Sequence, residues 1–271
     1  MTSARWSAVD SAFGRAGAAQ PGNVTKWSFP RSDLNVLVDG VTIRPALALG
    51  GWVAVAGDAR NEAMVAGDLV LLPDEVNGVI RVLQEGGVEQ TALHNHLLAP
   101  VMYMHIMAHG DAARIAATIH RALATTKTPL GIPGAPAATS AAELDTAGII
   151  RALGHTGKLN GVVYQVSVPR SERIMENGHE VPPAMGVATA INFQPTGSGK
   201  AAITGDFVLL ASEVNPVVRA LEAHGIQVEA IHSHMLFESP RLFFMHYWAN
   251  DDAVTLARGL RAALDTTASV R

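Results

Sequence analysis

The sequence predicts an α+β protein of two homologous tandem units, each a mainly antiparallel sheet with helices, packed as a pseudo-twofold dimer. Three observations predict it. Gly67-Asp68-Leu69-Val70-Leu71-Leu72 returns as Gly205-Asp206-Phe207-Val208-Leu209-Leu210, and over the 17 positions from Gly67 to Leu83, 11 match Gly205 to Leu221. Short alternating and β-branched runs separated by Gly and Asn turns have the pattern of antiparallel strands. Each unit also begins and ends on apolar residues at helical spacing. A repeat this long is a duplicated domain rather than a solenoid module, and tandem copies mimic the commonest homodimer.

The elements follow in order. Val9, Ala12, Phe13 and Ala16 mark an opening helix in the first unit; Ile149, Ile150 and Leu153 mark its counterpart. Residues 24–29 and 162–168 read as strands, 48–56 and 187–193 as second strands, and 69–72 and 207–210 as short strands buried on both faces. A helix is expected next, with Asn215 as N-cap and Pro216 at the first helical position. Gly87 and Gly225 are its expected stops in the two copies. Residues 88–98 and 226–237 then read as strands, followed by strands at 101–108 and 241–249. Ile115, Ile119 and Leu123, and Leu256, Leu260 and Leu264, mark closing amphipathic helices capped by Asp111 and Asp252. The stretch from Thr125 to Ala142 is rich in Pro, Gly, Ala and Thr, which places the first unit at 1–127, a linker at 128–142 and the second unit at 143–271.

Composition excludes several classes of function. Hydrophobic residues make up 48% and charged residues 16% of the 271, the balance of a compact globular chain. A net charge of −4 leaves no electrostatic footprint for nucleic acid. The absence of cysteine removes disulfides, thiolate ligands and a cysteine nucleophile together. No run is long and apolar enough for a membrane span, and no signal peptide is legible, so a cytoplasmic location is the default expectation. The P-loop, dinucleotide, nucleophile-elbow and H-E-x-x-H motifs are missing.

What remains is histidine. His94-x-His96 and His232-x-His234 recur at equivalent places, and His105 and His246 follow on the next apolar runs, so these constellations hold six of the eleven histidines. On a strand, residues i and i+2 share a face, so two imidazoles converge on one ion and a third arrives from the neighbouring strand. The second unit adds Glu238, separated from its pair by three residues. His232, His234, His246 and Glu238 are therefore the expected ligands of a divalent transition metal. Zinc fits best, with iron, manganese or copper also compatible. The first unit, with Ala99-Pro100 in place of an acid and a shorter connection, offers His94, His96 and His105 as a weaker second site. Glu238, if not a ligand, is the natural acid or base, and Glu213 and Arg241 are the other candidates for acid–base work and anion pairing. Each also has a bland reading. Glu213 suits a helix N-terminus, and Arg241 a solvated surface.

At GDFVLLASEVNPVVRAL (Gly205–Leu221) and IHSHMLFESPRLFFMHYWA (Ile231–Ala249) the chain resembles the LppY/LpqO family, which carries the domain of unknown function 1259. The second unit keeps the family's acid and Pro-Arg between the pair and third histidine, as Glu238, Pro240 and Arg241, whereas the first departs from it. The resemblance implies a bacterial protein, in some members exported or lipid-anchored, with a defined fold and site but no established reaction. The expected function is a metal-dependent hydrolase or lyase acting on a small molecule. The alternative is a non-catalytic binder of metal or small ligand, and an oligomer is compatible with either.

Overall fold

A computed structural model describes residues 4–57, 63–97, 100–131 and 144–271. Most of the expected linker, and Ala99, lie outside the described residues. The first unit runs α1 (Ser7–Phe13), β1 (Ala18–Gln20), β2 (Val24–Pro30), β3 (Leu37–Val38), β4 (Val41–Thr42), α2 (Pro45–Ala48), β5 (Gly50–Ala56), β6 (Ala63–Leu71), α3 (Val76–Glu85), β7 (Glu89–Asn95), β8 (Met102–Gly110) and α4 (Ala112–Leu123). The second runs α5 (Thr146–Leu153), β9 (Lys158–Asn160), β10 (Val163–Pro169), β11 (Met175–Glu176), β12 (His179–Glu180), β13 (Ala188–Gly197), β14 (Lys200–Leu209), α6 (Ala211–Glu222), β15 (Gln227–His232), β16 (Glu238–Ser239), β17 (Phe243–Asp252) and α7 (Ala253–Leu264).

Each unit builds one six-stranded sheet, in the order β1-β2-β5-β6-β8-β7 and β9-β10-β13-β14-β17-β15. Every pairing within them is antiparallel. Strand alternation divides the apolar residues between two cores. On β6, Ala63, Val65, Leu69 and Leu71 pack under α1, α3 and α4, while Met64, Ala66 and Val70 point the other way, toward the second unit. Strands β14 and β17 divide their side chains in the same manner. The continuous apolar run is thus a strand buried on both faces, and it is longer than the four residues expected.

The two inner cores are images of each other. Val36, Ile43, Leu47 and Leu49 pack with Val163, Ala202 and Trp248 of the second unit. Their counterparts Ile174, Val181, Met185 and Val187 pack with Val24, Met64 and Met107 of the first. Each unit therefore lays its β-hairpin arm on the other's sheet. Asp39 at the tip of the β3–β4 hairpin accepts the Trp248 indole N–H at 2.8 Å, and Gln194 bridges Arg44 N and Thr42 O, each at 2.9 Å. The result is four layers, helices, sheet, sheet and helices, with a pseudo-twofold axis through the middle.

Two expectations need correction. The helix read from Asn215-Pro216 begins at Ala211, where Leu210 is the N-cap and the Glu213 side chain accepts the Leu210 N–H; Pro216 lies inside the helix. Pro216 is the sixth helical residue, past the first turn, so it forgoes one intrahelical hydrogen bond and does not mark the helix start. The strands expected to carry both histidines of each pair end early. His94 and His232 are on β7 and β15, but His96 and His234 lie just past the strand ends. Asp111 and Asp252 do cap α4 and α7, accepting from Arg114 N and Thr255 N at 2.8 Å.

Candidate metal centre

The site begins with strand register. Asp68 on β6 pairs with His105 on β8, and Asp206 on β14 pairs with His246 on β17. All four side chains face the inner layer. Outermost in their sheets, β7 and β15 bring His94 and His232 to the same layer, with His96 and His234 in the turns that follow. Because the sheets pack face to face, the six histidines converge. The His94 and His232 rings lie 3.8 Å apart between centroids. His105 stacks on His234 at 3.5 Å and His246 on His96 at 3.7 Å, the same contact made twice under the pseudo-twofold. The sequence left open whether a site lies within a unit or at the junction; the structure places these histidines at the junction.

Ligand atoms of His94, His105, His232 and His234 lie within 4.8 Å of one another, as do those of Asp206, His232, His234 and His246. Two of these Nε2–Nε2 contacts are close, 3.0 Å for His94 and His105 and 2.8 Å for His232 and His234. Backbone carbonyls orient two rings. His246 Nδ1 donates to Gly205 O at 2.9 Å and His94 Nδ1 to Asn95 O at 3.0 Å, which leaves each Nε2 as the lone pair. Gly205 is required by this packing, since a Cβ there would run into the Ala190 carbonyl and the Tyr247 hydroxyl. Asp206 reaches His234 Nε2 at 3.2 Å and His246 Nδ1 at 3.7 Å. Glu229 crosses from the second unit to within 3.3 Å of His96 Nδ1.

Electrostatics favour an ion. Burial, then the neighbouring imidazoles, holds His105, His234 and His246 well below the usual histidine range. His94 is lowered to about 4, chiefly by burial. These rings are neutral at pH 7 and present lone pairs rather than protons. Burial raises Asp68 to about 7, against the attraction of Lys26, and raises Asp206 well above its ordinary value, with Asp68 adding to the effect. His246 Nε2, His232 Nδ1 and one oxygen each of Asp68 and Asp206 are buried without a hydrogen-bond partner. Such atoms are costly and call for an explanation. A cation supplies one, and its binding would displace the carboxyl protons. A cavity of about 20 Å³, lined by Trp52, Met185 and Gly186 among others, reaches His105 and His234, room for about one water.

The remaining sequence-derived candidates are placed elsewhere. Glu238 is buried with one oxygen accepting Leu242 N at 3.1 Å and the other facing Arg241 at 3.2 Å, and neither oxygen belongs to the two ligand groups. Arg241, half exposed, also hydrogen-bonds the Met235 and Leu236 carbonyls. Glu213 receives Arg170 at both oxygens together with Leu210 N and Ala268 N. Glu75 is held by Arg31, Leu72 N and Lys127 N in the same way. These are structural clamps at the ends of β6 and β14. Residues missed as site members are Asp68, Asp206 and Glu229. The first two stood in the most strictly repeated segment, which was the signal available.

Fold and site together define a duplicated α+β protein with a buried His/Asp cluster able to hold a metal ion. The chain belongs to the family defined by the Domain of Unknown Function (DUF1259), whose model matches it twice, at residues 7–125 and 147–266. No curated protein matches it. Among solved structures, EtuB from Clostridium kluyveri is similar at 10% identity over 92% of this chain and 90% of that one, with a TM-score of 0.21. That likeness carries no argument about fold or function. No helix among the described residues is long and apolar enough to cross a membrane.

Proposed function

We propose that this protein is a metal-dependent enzyme acting on a small molecule, of hydrolase or lyase type, with its ion at the junction of the two units. The observation that carries the reading is the pair of unpartnered buried atoms, His246 Nε2 and Asp206 Oδ1, within a group that includes His232 and His234. Imidazole nitrogen with one carboxylate oxygen suits Zn²⁺ best, and Fe²⁺, Mn²⁺ and Cu²⁺ are compatible. A bound ion of this kind lowers the pKa of a water or polarises a substrate oxygen. Asp68, 3.9 Å from His105 Nε2 with one oxygen unpartnered, is placed to take up or give a proton beside it. The apolar walls, including Phe244 stacked on His234 at 3.6 Å, exclude water and strengthen these interactions.

A second reading, a non-catalytic protein that stores or senses metal, is favoured by the small volume of the cavity at the cluster. Elemental analysis of wild type beside His232→Ala/His234→Ala, followed by a screen of ester and lyase substrates with the metal found, separates the two. Metal without turnover supports the binder. Absence of metal after reconstitution sinks both.

A further inference from the structure

The two ligand groups overlap, and the overlap bears on how many ions the junction takes. His232 and His234 belong to both groups, yet a neutral imidazole turns one lone pair toward one ion. Filling both groups at once therefore requires dividing the shared pair. His105 and His246 favour one division, though His94 lies nearer His232, at 3.8 Å, than His234, at 5.8 Å. His105 lies 3.5 Å from the His234 ring and 6.5 Å from that of His232. His246 does the reverse, 4.5 Å from His232 and 6.4 Å from His234. Resting on the metal-binding reading above, we propose that the junction is a two-ion centre. One ion is held by His94, His105 and His234, and the other by His232, His246 and Asp206.

The unpartnered atoms support this independently, because they occur on both sides of the shared pair. Asp68 Oδ1 lies on the His105 side, and His246 Nε2 with Asp206 Oδ1 on the other. An ion held by His232, His246 and Asp206 partners His246 Nε2 and Asp206 Oδ1 and leaves Asp68 Oδ1, on the His105 side, bare. Asp206 Oδ2 lies 3.2 Å from His234 Nε2, while the unpartnered Oδ1 remains for the ion on the His246 side. Each ion then has three protein ligands and open positions, the arrangement of a catalytic rather than a structural centre. The first set joins His94 and His105 of the first unit to His234 of the second, so that ion needs both units, while the other set lies within the second unit.

The full-length chain, stripped by a chelator and titrated with Zn²⁺, is the test, with bound metal counted by elemental analysis. Two Zn²⁺ per chain are expected in the wild type, falling to one in His105→Ala and to one in His246→Ala. Reloaded with Mn²⁺, the wild type is expected to give the electron paramagnetic resonance of a spin-coupled pair, and each variant the six-line signal of an isolated ion. Saturation of the wild type at one Zn²⁺ with an isolated Mn²⁺ signal overturns the two-ion centre and leaves the metal reading standing. No bound Zn²⁺ overturns both. The wild-type count and signal decide even if a variant fails to fold.

Discussion

His94 and His232 are each other's counterparts in the repeat, and their rings meet at 3.8 Å. A residue touches its own counterpart only near a twofold axis, so this contact locates the axis, and the axis passes through the candidate metal centre. Binding at such a place joins the units. Anything that binds the folded state alone stabilises it, by about 2.7 kcal/mol at a hundredfold excess over Kd. Saturating Zn²⁺ is expected to raise the melting temperature of the chelator-treated protein by several degrees, and His232→Ala/His234→Ala to abolish the shift. Equal shifts in wild type and variant would place the ion elsewhere.

Arg170 and Glu213 form a buried pair at 2.7 Å, and Arg31 and Glu75 repeat it at 2.7 Å. Each arginine also donates to a strand carbonyl, Val208 O or Val70 O, so the clamp ties a turn to the central strand. Removing one partner leaves a buried charge, at a cost of about 3–5 kcal/mol. Arg170→Ala is expected to lose stability of that order in urea, with Arg170→Lys recovering little because the two-pronged geometry is gone. Metal content per folded chain is expected to be unchanged, which distinguishes a clamp from a metal ligand.

The same pair predicts a pH dependence. Burial alone would raise the Glu213 carboxyl, but hydrogen bonds from Arg170, Leu210 N and Ala268 N outweigh it and bring the group below its ordinary value of 4.5; Glu75 behaves alike. In acid the unfolded chain therefore takes up these protons first. The stabilisation is complete above the ordinary glutamate value and is lost as pH falls through the depressed folded value. The stability gap between wild type and Glu213→Gln, measured by urea unfolding, is expected to be constant near neutrality and to shrink below about pH 4.5. A gap unchanged at pH 3 would mean that the ion pair is not its source.

Glu238 tests the distance between spacing and geometry. Four residues past His234 it has the spacing of a ligand, but β16 pairs with β11 and turns its carboxylate onto Leu242 N and Arg241. Glu238→Gln keeps an acceptor for Leu242 N, so it is expected to retain full metal content with a modest loss of stability, about 1 kcal/mol. Loss of an ion in this variant would restore Glu238 to the ligand set.

How much was legible follows from which forces are local. The repeat, the hairpin order and the histidine pairs were readable because strand period and duplication are written along the chain. Asp68 and Asp206 were visible only as part of a repeated strand, since an acid in an apolar strand looks like a surface residue until both faces are known to be buried. The Arg31 and Arg170 clamps leave no local trace, because their partners, Glu75 and Glu213, lie 44 and 43 positions away. That the units pack about a pseudo-twofold was legible in the duplication, but where they meet was not. Which faces of two sheets meet is decided by the hairpin arms crossing between units, and no local pattern records that.

Glu229 offers the last test of that crossing. Its carboxylate, from β15, stands 3.3 Å from His96 Nδ1 and accepts Leu97 N at 3.3 Å, where Leu97 adopts a left-handed φ of 63°. A leucine in that region is strained, by about 1–3 kcal/mol, and persists because its surroundings hold it. The counterpart of Glu229 in the first unit is Thr91, so this brace exists on one side of the pseudo-twofold only. Glu229→Ala strands the His96 ring and the Leu97 amide, with an expected cost of about 1–3 kcal/mol. Glu229→Gln, which still accepts from Leu97, is expected to recover part of it. Neither is expected to reduce the metal count, because His96 belongs to neither ligand group. If Glu229→Ala folds and releases an ion, His96 is a ligand held in place by a carboxylate from the other unit, and the division of histidines between the ions must be redrawn to include it.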